Sequence, residues 1–145
     1  MAFRLSDASR AKLAGVHPDL IRVVTRAIEI SAVDFKVIEG VRTPERQAQL
    51  YAQGRTKPGN KVTWTIKSNH FVNPKTGKGH AVDLLVAPYD WAQGPQWQKM
   101  ADAMLAASKE LRIPIRWGAD WDRDGIAREK GETDSPHFEL WSGGL

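Results

Sequence analysis

Apolar residues recur at helical spacing across residues 19–31. Leu20, Val23, Val24, Ala27 and Ile28 share one face there, and Pro18 stands where a helix starts well. The period then shortens: residues 35–39 alternate around Val37 and read as a short strand. Thr43 as N-cap and Pro44 as first residue open a second helix, which carries Leu50 and Tyr51 and stops at Gly54. Residues 57–79 are rich in Gly, Pro, Asn, Lys and Thr, and predict an irregular region around a short strand at 62–66. An apolar run of strand length covers 81–87. Pro95 opens the strongest helix, with Trp97, Met100, Ala101, Met104, Leu105 and Leu111 on one face. The remaining strands fall at 113–117 and 137–141, separated by a polar, loop-like stretch at 118–135. Helices early and strands mixed through the chain predict an α+β fold, a small antiparallel sheet flanked by helices. The length suits a single compact domain over residues 1–145.

Composition narrows the chemistry. With 41% apolar and 26% charged residues the chain is ordinary for a globular protein. It has no cysteine, so any metal must be held by nitrogen and oxygen donors. The net charge of +4 is spread along the chain and not gathered into a Lys/Arg block, which argues against specific nucleic-acid binding. It still favours approach to an anionic surface. No apolar run approaches the ~20 residues needed to span a bilayer, and residues 1–7 lack the apolar core of a signal peptide. The expectation is a monomer made in a cytoplasm without membrane insertion, which something else must release if it acts outside.

Histidines occur only at 17, 70, 80 and 137. His17, before Pro18, reads as a surface or capping residue. His70 lies in Ser68-Asn69-His70, inside the irregular region. Asp83 enters the apolar strand after Gly79-His80-Ala81-Val82, and His137 begins the last strand three residues after Asp134. A carboxylate on a strand this apolar needs a metal or a salt bridge to offset its desolvation. Two imidazoles and one carboxylate make a suitable catalytic zinc set with a fourth position open. Asp134 is placed to act as general base. A second pattern, Asp120-x-Asp122-x-Asp124-Gly125, matches the opening half of a calcium loop. Its twelfth position is Gly131 where the bidentate Glu should stand, with Glu132 one beyond, so an acidic turn without an ion is the plainer reading. Of the six tryptophans, Trp97 reads as core, while Trp117, Trp121 and Trp141 lie near the proposed site, as groove or as core.

Four ordered blocks carry a resemblance. Glu39-Gly40-Val41-Arg42-Thr43-x-x-x-Gln47-x-x-Leu50-Tyr51-x-x-Gly54-Arg55 comes first. Ser68-x-His70 with Gly79-x-Ala81-x-Asp83 follows, then Trp117-Gly118-Ala119-Asp120-Trp121, and last Asp134-x-x-His137-Phe138-Glu139-Leu140. Together they resemble the zinc peptidases of the D-Ala-D-Ala carboxypeptidase and L-alanyl-D-glutamate endopeptidase family, whose fold is shared with the hedgehog signalling domain. The Trp-Gly-x-Asp-Trp run is similar to phage-encoded members. The resemblance implies zinc on His70, Asp83 and His137, with Asp134 as the base. It implies Arg42 at the oxyanion of the scissile carbonyl, and Gln47 and Ser68 as substrate contacts. His70 and Asp83 lie thirteen positions apart, more than in compact relatives, which brings His80 in as a rival ligand. Strand alternation turns His80 to the face opposite Asp83, so His70 is preferred. The implied reaction is hydrolysis of an amide in the peptidoglycan stem peptide by a phage or prophage endolysin that a holin releases to the wall. A D-Ala-D-Ala carboxypeptidase with the same metal site, and a non-catalytic zinc-stabilised binding module, are the alternatives.

Overall fold

A computed structural model describes residues 3–41, 48–49, 52, 72–73, 75–92, 94–120 and 135–141. Helix α1 (Asp7–Lys12) begins at Ser6, whose Oγ accepts the Ser9 N–H. Helix α2 (Pro18–Ile30) begins at His17, whose Nδ1 accepts the Asp19 N–H at 3.1 Å, so this histidine is a helix cap as expected. Strand β1 (Phe35–Glu39) follows. Ala48, Gln49 and Ala52 are helical, in keeping with the second helix expected there, while the strand expected at 62–66 lies outside the described residues. A two-stranded ribbon, β2 (Val72–Asn73) and β3 (Lys78–Gly79), leads into β4 (Ala81–Val86). Helix α3 (Pro95–Leu111), β5 (Ile115–Trp117) and β6 (His137–Leu140) complete the order.

The main sheet has the order β1-β4-β6-β5, and every neighbouring pair is antiparallel. Strand alternation gives it two unlike faces. Phe35 and Val37, Val82, Leu84 and Val86, Ile115 and Trp117, and Phe138 are all buried and join one apolar cluster with α2 and α3. Leu20, Val23, Val24, Ala27 and Ile28 line α2 towards it, and Trp97, Met100, Ala101 and Met104 line α3. The opposite face carries Glu39, Asp83, His137, Glu139 and Arg116. The register shows why: Asp83 pairs with both Glu39 and His137, and Arg116 pairs with Glu139. A bulge between Val37 and Glu39 puts Glu39, not Ile38, opposite Asp83.

The entry to this polar face is fixed by close backbone packing. A Cβ on Gly40 would lie 2.0 Å from the Lys12 carbonyl oxygen, so only glycine lets β1 leave the sheet against the end of α1. The turn after α1 is tied to β3 by Gly79 N–H to Gly15 O at 2.9 Å and His17 N–H to Gly79 O at 2.8 Å. The expected strand at 113–117 starts only at Ile115. Arg112 takes a left-handed conformation at the end of α3, and the Ile113 N–H returns to Ser108 O at 3.0 Å, so that residue belongs to the helix terminus.

Candidate functional site

Across the middle of the polar face, Asp83 on β4 and His137 on β6 are direct register partners on antiparallel strands. His137 Nδ1 lies 3.4 Å from Asp83 Oδ1. The other ring nitrogen, Nε2, lies 2.7 Å from Glu139 Oε1, two residues along the same strand and so on the same face. The second oxygen of that carboxylate, Oε2, accepts from Arg116 Nη2 at 2.9 Å. The Arg116 guanidinium in turn lies 4.8 Å from the centre of the Trp141 ring. His137 and Glu139 are both buried, at 8% and 3% exposure, which makes this a shielded polar row and not a surface ion pair. Burial alone pushes the Glu139 carboxyl up. The hydrogen bond and charge of His137, with those of Arg116, outweigh it and hold the carboxyl below its ordinary value.

Strand β6 is held firmly on both sides. The Leu84 N–H donates to Pro136 O at 2.9 Å, the Gly118 N–H to His137 O at 2.7 Å, and the Leu140 N–H to His80 O at 2.9 Å. Trp117 stacks on Phe138 and sends its indole N–H to Ser135 O at 2.7 Å, next in the chain to Asp134. Trp117 is therefore core, and Trp97, 2% exposed, is core as expected. Trp141 serves as the platform for Arg116.

Of the residues picked out from the sequence, the structure brings Asp83 and His137 together. Asp120 follows β5, its N–H bonded to Trp117 O at 3.0 Å. Arg42, Gln47, Ser68, His70, Trp121, Asp122, Asp124 and Asp134 lie outside the described residues. His80 is engaged elsewhere: its Nε2 lies 2.8 Å from Thr76 Oγ1, and its ring meets that of His17 edge to face at 5.3 Å. Desolvation, and then the neighbouring His17, lower the pKa of His80. Arg116 belongs to no motif in the sequence, and nothing local sets Glu139 apart within its block. The alternation of β6 was the available signal, since it puts residue 139 on the His137 face.

Among the described residues no three His, Asp or Glu side chains converge on one point, so the pair must be completed from elsewhere to hold a metal. The pair itself fits one. Two donors on a single tetrahedral zinc at ordinary bond lengths lie about 3.3–3.5 Å apart, and His137 Nδ1 and Asp83 Oδ1 are 3.4 Å apart. An imidazole with a carboxylate is also the donor chemistry zinc accepts in a protein without thiolates.

Comparison with known proteins points one way. The family model of phage L-alanyl-D-glutamate peptidases matches residues 1–141. The chain is 34% identical to the L-alanyl-D-glutamate peptidase of Escherichia phage T5 over 148 aligned residues, 97% of this chain and 99% of that protein. It is 30% identical to the peptidoglycan L-alanyl-D-glutamate endopeptidase CwlK of Bacillus subtilis over 136 residues, 86% of this chain and 73% of that one. The crystal structure of the L-Ala D-Glu endopeptidase ChiX from Serratia marcescens superimposes with a TM-score of 0.72 at 32% identity, covering 96% of this chain and 90% of that one. The vancomycin-resistance D,D-dipeptidase VanXYg superimposes with a TM-score of 0.54 at 18% identity over 86% of this chain and 50% of that one, a likeness of fold alone. The expected α+β, carboxypeptidase-like fold is borne out.

Proposed function

Because this chain belongs to the phage L-alanyl-D-glutamate peptidase family, we propose that it hydrolyses the amide bond between L-alanine and D-glutamate in the peptidoglycan stem peptide. The observation that carries the reading from family to chemistry is the Asp83–His137 pair, set at zinc-ligand separation on the polar face of the sheet. His70 is the third ligand in this reading. The engagement of His80 with Thr76 and His17 supports that choice.

Zinc bound there supplies Lewis-acid polarisation of the scissile carbonyl and makes water easier to deprotonate. The chain's own residues do the rest. Asp134 accepts a proton from the attacking water and delivers it to the leaving amine of D-glutamate. Arg42, a fixed cation, binds the carbonyl oxygen as charge develops on it. Gln47 and Ser68 hold the peptide by hydrogen bonds. The sheet keeps Asp83 and His137 in place because each strand is buried on its other face and has no freedom to slip. A net charge of +4 favours approach to an anionic envelope. Among the described residues no helix is long and apolar enough to cross a membrane. Release from the cytoplasm by a holin, action as a monomer and a role in host lysis complete the proposal.

The test is mass spectrometry of purified peptidoglycan digested with the zinc-loaded protein and with Asp134→Ala. New amino termini at D-glutamate, from the wild type only, are expected. Release of terminal D-alanine would move the protein to the carboxypeptidase alternative, and no cleavage at all would favour the binding module.

A further inference from the structure

Resting on the reading of His137 as a metal ligand, we infer that Glu139, itself held by Arg116, is a positioning residue that fixes the His137 ring with Nε2 protonated and the Nδ1 lone pair presented to the metal. Neutral imidazole has one N–H and one lone pair, and which nitrogen carries which is set by the neighbour of the other. Here the short contact is on Nε2, 2.7 Å from Glu139 Oε1, whereas Nδ1 faces Asp83, the one carboxylate of the proposed ligand set, at 3.4 Å. An ionised carboxylate only accepts, so the ring proton belongs on Nε2. A half-turn of the ring about its bond to Cβ would carry Nε2 away from Glu139 and Nδ1 away from Asp83. The Glu139 bond opposes that turn.

Glu139 is kept in register for this by its own partners. Its side chain and that of Arg116 are 4% and 17% exposed, and the two residues face each other across β5 and β6. Among the described residues His137 meets Oε1 and Arg116 meets Oε2, so the plane of the carboxylate is set from both sides. The Arg116 guanidinium rests on the Trp141 ring at 4.8 Å, which holds the far end of the row. A structural ion pair would require Arg116 and Glu139 only. The third member, a ring whose other nitrogen faces Asp83, ties the pair to the metal. Carboxylates in this relation to a ligating histidine orient the ring and raise its basicity.

The experiment uses the full chain labelled with 15N-histidine and loaded with zinc. Nitrogen–proton correlation spectra report which nitrogen of His137 carries the proton, and competition with a chromophoric chelator reports zinc affinity for wild type, Glu139→Ala, Glu139→Gln and His137→Ala. In the wild type, His137 is expected to show Nε2–H with the metal on Nδ1. Glu139→Ala should weaken zinc binding by about 10–100-fold, and Glu139→Gln, which keeps an acceptor oxygen, should recover part of that loss. A proton on Nδ1 in the wild type would overturn the inference even if no variant folded. So would a folded Glu139→Ala that binds zinc within about twofold of wild type, against the loss expected of such a partner. If His137→Ala keeps wild-type zinc affinity, the ligand assignment itself fails and the inference with it. If only Glu139→Ala is silent, the ligand assignment stands and the positioning role does not.

Discussion

Removing the hydroxyl of Ser9 should loosen the edge of the sheet that leads into Arg42. Among the described residues β1 is an edge strand, and the Val37 N–H donates to Ser9 Oγ on α1 at 3.0 Å in a buried setting. Ser9 is 2% exposed, so water cannot readily replace the lost acceptor. An orphaned buried donor costs about 1–3 kcal/mol. The change to alanine returns about 0.5 kcal/mol through better helix propensity in α1. Ser9→Ala should therefore lose about 0.5–2.5 kcal/mol, which for a chain of this length lowers the thermal midpoint by roughly 3–6 °C at the centre of that range. Calorimetry with hydrogen exchange read at the Val37 amide would test it: the midpoint should fall and that amide should exchange faster. A variant as stable as wild type, with Val37 equally protected, would refute the claim that this bond holds the strand edge.

Gly40→Ala should cost about 1–3 kcal/mol or more, since its Cβ would meet a backbone carbonyl at 2.0 Å and not a movable side chain; an unchanged urea midpoint would show that β1 does not pack on α1 this way. His80 should titrate below the ordinary histidine value, mainly from desolvation, and His17→Ala should restore only part of the difference. Because its folded pKa is the lower one, this group contributes stability above its unfolded value near pH 6.5, and the contribution is lost as pH falls through the folded pKa. A proton NMR titration that puts His80 at or above the ordinary value would contradict this. Stripping the metal with a chelator should lower the thermal midpoint, since a ligand at a hundred times its Kd stabilises by about 2.7 kcal/mol; identical melting with and without zinc would show that no such site forms.

Local patterns in the sequence carried much of the architecture. The apolar stripe of α2, the Trp97 face of α3 and the run from Ala81 each met the same core, because burial of one face decides both the element and its orientation. Helix α1 is not legible in the sequence for a physical reason: Asp7–Lys12 has no apolar stripe, and its one buried residue is Ser9, which serves by a hydrogen bond. Pro114 and the left-handed Arg112 delayed β5, a matter of helix termination that strand patterning does not register. For the site, Asp83 and His137 stood out because a carboxylate and an imidazole on apolar strands need a reason. Their meeting, and the row through Glu139 to Arg116 and Trp141, depends on strand register across residues far apart in the chain, which periodicity within one segment does not determine.

The most direct measurement is anomalous diffraction at the zinc edge from crystals of the zinc-loaded protein. The ligand assignment predicts one strong peak bonded to His137 Nδ1, Asp83 and His70, with Glu139 still on His137 Nε2. A peak bonded to His80, or one remote from the Asp83–His137 pair, would contradict it.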